Sequence, residues 1–115
     1  MGAWGHNPWD NDAAADFFAE LFPPGFHERV MAGLRGDSEE EARAAAWVVV
    51  RLAYSCYVWP CDAAQFDELC KLAAERLETI AKESEEGDEF WDWNELRKEA
   101  EELHSRRHRP LGQEP

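Results

Sequence analysis

Positive charge is what this 115-residue chain has least of: 12 Lys and Arg stand against 25 Asp and Glu, for a formal net charge of −13. Such a field repels phosphate backbones and anionic lipid surfaces, so neither direct nucleic-acid binding nor membrane binding is expected. Long apolar runs are missing as well. No stretch approaches the ~18 consecutive apolar residues of a transmembrane helix. The N-terminus lacks the basic segment and apolar run of a secretory signal, so a cytoplasmic location is expected. Gly2 is not followed by the Ser or Thr at position 6 that a myristoylation motif wants, because His6 stands there. Cysteine is scarce too. Cys56, Cys61 and Cys70 make neither an even disulfide set nor a CxxC pair. They read as reduced thiols, with a Cys56–Cys61 bridge across a turn as the alternative.

What is present is a packed globule. Hydrophobic residues make up 44% of the chain and six are tryptophan. The length suits one domain, since single cores run ~100–200 residues. Residues 1–109 are read as one helical domain with a docked N-terminal segment over 1–11, and 110–115 as a flexible tail. The acid excess concentrates between residues 37 and 103, whereas the stretch from His104 onward is net basic.

Periodicity predicts an all-α fold of about five helices, with no strand pair or repeat. Asp10 and Asp12 suit an N-cap for a first helix in which Ala14, Phe17, Phe18 and Leu21 recur at i, i+3, i+4, i+7. Pro23-Pro24-Gly25 stops it. A second short helix runs from about Phe26 to Leu34, facing Val30, Met31 and Leu34 inward, with Gly36 at its C-cap. Ser38 and Glu41 form a capping box for a third helix over about 41–58. Its interior charges are only Arg43 and Arg51, so it is expected to be buried on most sides and to be the central helix. The Val48-Val49-Val50 run leaves a strand open there, but the alanines before it favour helix.

A second capping box, Asp62 with Gln65, opens a fourth helix. Phe66, Leu69, Cys70, Ala73, Leu77 and Ile80 form its apolar stripe, and Glu78 and Lys82 pair at i, i+4. After ESEEGDE a last helix runs from about Glu89 or Asn94 to Arg107, burying Trp93, Leu96, Ala100 and Leu103. Arg106, Arg107 and Arg109 match the negative end of its dipole.

The opening MGAWG, then a Pro, then DND ahead of an Ala/Phe/Leu helix resembles the start of the bacterial domain-of-unknown-function family 4259. The ARAAAWVVVRLA helix followed by Pro60, and a terminal helix after a Ser/Glu/Trp segment (Ser84 to Trp93), are similar as well. His6 and Asn7 stand where that family has small residues, and Trp9 where Phe is usual. The resemblance implies a small, mostly helical cytoplasmic protein without an assigned activity, and it supplies no catalytic residues.

The chemistry-bearing groups read as follows. His6, Asp10, Asn11, Asp12 and Asp16 bring imidazole and carboxylates together, a set able to bind a cation or do acid–base work. Their spacing matches no metal loop, and Asp10 to Asp12 read better as helix caps. Trp4 and Trp9, beside Gly2 and Gly5, read as anchors of the N-terminal segment, with an exposed aromatic patch as the alternative. His104 and His108 lie one turn apart but lack the internal Glu of a zinc hydrolase motif. No cysteine has the base that a nucleophile needs. No catalytic residue, metal or cofactor is therefore expected.

The acidic ridges at Glu39 to Glu41, Glu83 to Glu89 and Glu99 to Glu102 remain. Glu83, Glu85, Glu86, Asp88, Glu89 and the adjacent Trp91 are the candidate surface for a basic or nucleic-acid-binding protein, recognised by charge complementarity. Ordinary solvated faces are the alternative. The expected function is a non-catalytic protein-binding module of the inhibitor or immunity type. A metal-dependent or acid–base enzyme at the N-terminal His/Asp cluster and an oligomerising domain with a Trp-rich contact are the other readings.

Overall fold

Pro23-Pro24-Gly25, Gly36 and Pro60 divide the apolar segments, and the helices fall between them. The computed structural model describes residues 12–54, 58–87 and 91–106. They form α1 (Asp12–Leu21), α2 (Phe26–Arg35), α3 (Glu39–Leu52), α4 (Ala63–Glu86) and α5 (Trp93–Ser105). All regular structure among them is helical. The expected docking of 1–11 and the tail at 110–115 lie outside the described residues.

α4 organises the bundle. It buries Phe66, Leu69, Cys70, Ala73, Ala74, Leu77, Ile80, Ala81 and Ser84, and it packs on α2, α3 and α5. Each fully buried Leu or Ile stabilises the fold by roughly 1.5–3 kcal/mol. Arg97 meets Glu85 and His104 meets Glu78, so α5 runs antiparallel to α4. Arg43 meets Glu99, and Arg106 meets the Val50 carbonyl, so α3 runs parallel to α5.

Two expectations for the third helix are corrected. It spans Glu39–Leu52 rather than about 41–58, and α4, not α3, is the central helix. α3 buries Ala42, Ala46, Val49 and Val50 on one side, while Trp47 on the other is 48% exposed. A scarcity of charge suggests burial on most sides, but alanine brings little apolar area to bury. The early stop has a physical cause. The Ala53 N–H closes the last turn on the Val49 carbonyl at 2.9 Å. The Arg106 guanidinium then donates to the carbonyls of Val49, Val50 and Ala53 at 3.3, 2.5 and 3.3 Å. With those carbonyls satisfied the helix ends, and Trp59 further along is buried in the core.

Local signals set the other boundaries. The Asp62–Gln65 capping box forms in both directions: Gln65 N–H donates to Asp62 Oδ1 at 2.8 Å, and Asp62 N–H to Gln65 Oε1 at 3.0 Å. At α3 only half of the expected box forms. Ser38 accepts from the Glu41 N–H, while the Glu41 carboxylate takes Arg29 instead. Gly25 holds φ 83°, a left-handed conformation, at the N-cap of α2. Gly33 permits a close crossing, because a Cβ there would stand 3.3 Å from the Ala45 Cβ. The rings of Phe22, Phe26 and Trp59 stack with centroids 4.7–6.1 Å apart and join the end of α1 to the core.

Candidate partner-binding surface

Helix dipoles favour acids in the first turn and bases in the last. α2 follows this rule with Glu28 and Arg35, and α5 with Glu95 and His104. α3 does so with Glu39, Glu40 and Glu41 at its start and Arg51 at its end. α4 departs from it. Beyond the Asp62 cap its first turn holds no acid, and its last holds no base. Instead it ends in Glu83, Glu85 and Glu86, all exposed, where the carbonyl dipoles already concentrate negative charge. The Glu39–Glu41 ridge therefore has a structural explanation, and the ridge at the end of α4 does not.

Partial relief comes from one neighbour. Arg97 Nη2 donates to Glu85 Oε1 at 2.6 Å while its guanidinium lies over the Trp93 ring at 5.0 Å. The other described arginines are also engaged within the fold. Arg29 binds Glu41, Arg35 binds Glu68, Arg43 binds Glu99, and Arg106 binds Glu102. Arg76 donates to the Leu34 carbonyl and Arg51 lies over Trp47. The charge left facing solvent is predominantly carboxylate.

The sequence-predicted residues are distributed unevenly. Glu83, Glu85 and Glu86 share the exposed end of α4. Trp91 is half-buried against the core, and its indole N–H donates to Glu39 Oε1 at 2.8 Å. That bond braces the approach to α5 against the start of α3. Glu99 leaves the ridge assigned to it: it is buried and paired. Glu78 meets His104 at 3.1 Å, not the expected Lys82. Asp88 and Glu89 lie outside the described residues, as do Trp4, Gly5, His6, Trp9, Asp10 and Asn11. Asp12 begins α1, but its side chain is outside them too.

Reasoning from sequence missed a buried polar pair. Trp59 Nε1–H donates to His27 Nδ1 at 2.9 Å. His27 and Trp59 are both buried. An indole N–H can only donate, so His27 Nδ1 must accept and the ring proton sits on Nε2. His27 also lines an open cleft of about 470 Å³ between α2 and the start of α4, with Glu28, Met31, Ala32, Arg35, Gln65 and Glu68. The Nδ1 lone pair of His27 is thus engaged within the fold. Among the described residues, no group of three His, Cys, Asp or Glu is placed to hold a metal ion. None of the described helices is long and apolar enough to cross a membrane.

Comparison of the chain with protein-family models, with curated proteins and with solved structures finds no match.

Proposed function

We infer that this protein is a non-catalytic cytoplasmic module that binds a basic protein partner through the acidic end of α4, in the manner of an inhibitor or immunity protein. The observation that carries this reading is the cluster of exposed acids at the C-terminal end of α4, where the last turn holds no base. Three exposed glutamates are kept at the helix end where they cost stability, and among the described residues only Glu85 of the three makes an ion pair. Residues that oppose their own fold are characteristic of functional surfaces. The internal use of the described arginines supports the same reading, because it leaves an anionic exterior that steers a basic partner by complementary potential. The likeness to family 4259 brings no activity to weigh against it.

The test begins with affinity purification from native cells and identification of the captured protein. Its affinity is then measured for the native chain and for a Glu83→Lys, Glu85→Lys, Glu86→Lys variant at low and high salt. Binding should weaken at least about tenfold in the variant, corresponding to about 1.4 kcal/mol. The native affinity should also fall with ionic strength as the charges are screened. An affinity indifferent to both changes would show that the acidic end of α4 is not the interface.

A further inference from the structure

The fold leaves two apolar surfaces exposed, and each carries what the other lacks. Among the described residues α1 packs on none of the other four helices. Its Phe17 and Leu21, one turn apart on one face, are 58% and 57% exposed. Asp16 and Glu20 flank them, and α1 contains no basic residue. Trp47 on the outer side of α3 is 48% exposed, and Tyr54, just past the C-cap of that helix, is 47% exposed. Arg51 lies 5.8 Å over the Trp47 ring and Arg106 lies 4.7 Å over the Tyr54 ring. One surface is an apolar ridge edged with carboxylates, and the other carries exposed rings with one exposed guanidinium, that of Arg51, beside them. Arg51 in particular meets a ring rather than a carboxylate.

A lipid surface is a poor occupant for α1. Amphipathic helices that lie on membranes carry Lys and Arg on the polar face, and α1 carries only acids there. Its own α3 is not in contact with it, since Phe22 is stacked on Phe26 and Trp59 and the chain turns at once through Pro23-Pro24-Gly25. The complementary face is nevertheless present on every copy of the chain. We propose that two copies form a reciprocal dimer in which α1 of each docks on the Trp47–Arg51–Tyr54 face of the other. Phe17 and Leu21 cover the rings, and Asp16 and Glu20 approach Arg51. A two-fold arrangement closes the assembly by using both contacts.

Area favours the reciprocal form. A fully covered aromatic side chain buries roughly 150–250 Å², and about half of each remains uncovered here. Phe17, Leu21, Trp47 and Tyr54 then contribute on the order of 400 Å² per contact and about 800 Å² for the pair. That sum falls short of the ~1,000 Å² of a stable interface, so the dimer is a weak one, expected to dissociate in the upper micromolar range. The acidic end of α4 takes no part, so this inference stands apart from the partner-binding reading.

Sedimentation equilibrium on the full chain, from ~1 to ~200 µM, brackets such an affinity. The native chain should pass from monomer to dimer across that range. Phe17→Ser with Leu21→Ser should weaken the dimer at least about tenfold, and so should Trp47→Ser; all three sites are exposed, and unchanged thermal unfolding will verify that each variant folds. Arg51→Glu should weaken it as well, and adding Asp16→Lys and Glu20→Lys to that chain should restore it. A native chain that stays monomeric at ~200 µM overturns the proposal. So does a dimer that survives either the α1 or the α3 substitution unchanged, or one that the charge exchange fails to restore.

Discussion

Arg43 and Glu99 meet through two parallel hydrogen bonds, Nη1 to Oε1 at 2.9 Å and Nη2 to Oε2 at 3.0 Å, with the two side chains only 16% and 6% exposed. The pair ties α3 to α5 from positions 56 residues apart in the chain. Its geometry is the bidentate fork that suits guanidinium and carboxylate best. Removing one partner strands the other charge. Glu99→Met or Arg43→Met alone should each destabilise the fold by about 3–5 kcal/mol, whereas Arg43→Met with Glu99→Met should fall much nearer to the native stability. Urea unfolding of the singles and the double completes the cycle. Additive losses would show that the pair is uncoupled.

The His27–Trp59 bond makes a second prediction. His27→Leu preserves most of the volume but leaves the Trp59 N–H buried without an acceptor, at a cost of about 1–3 kcal/mol. His27→Asn places an oxygen near the position of Nδ1 and should lose less. The indole N–H resonance of Trp59 reports the bond directly, and it should move more in the leucine variant than in the asparagine one.

At the end of α4 the direction is opposite. Glu83→Lys and Glu86→Lys bring cations to the negative end of a long helix dipole. Each should raise stability by about 0.3–1 kcal/mol at low salt, with the gain shrinking as salt is added. Thermal unfolding at two ionic strengths will measure it. A loss of stability at both would mean that these glutamates are held by the fold, which would remove the reason for assigning them to a partner.

Arg106→Met should loosen the end of α3. The carbonyls of Val49, Val50 and Ala53 lose a shared charged donor, and the Tyr54 ring loses its stacked cation. Hydrogen bonds to charged groups are worth about 1.5–3 kcal/mol, and water will recover little of that because the Arg106 side chain is only 9% exposed. Hydrogen exchange should quicken at the Ala53 amide, which closes the last turn of α3, more than at amides in the middle of α4.

Much of this architecture is legible in local sequence because its causes are local. The Asp62–Gln65 box needs residues three apart, and the α4 stripe from Phe66 to Ile80 needs only the helical period. The central features were harder to read because their causes come from far along the chain. The stop of α3 depends on a guanidinium 53 residues beyond Ala53, and no pattern within 41–58 announces it. Glu99 looks like one more acid in an acidic helix until Arg43 is placed opposite. His27 and Trp59 are 32 residues apart and carry no motif. The acidic end of α4 was readable throughout, as KESEE. What separated that ridge from Glu39–Glu41 was comparison with the other helices, each taken with its own boundaries.

The grip of Arg106 on α3 also bears on how the chain is made. Residues emerge from the ribosome in order, so α3 is complete in sequence long before the group that satisfies its last carbonyls exists. Until Arg106 arrives, those carbonyls depend on water. The middle of the molecule is therefore finished by nearly the last part of the helical body to be synthesised.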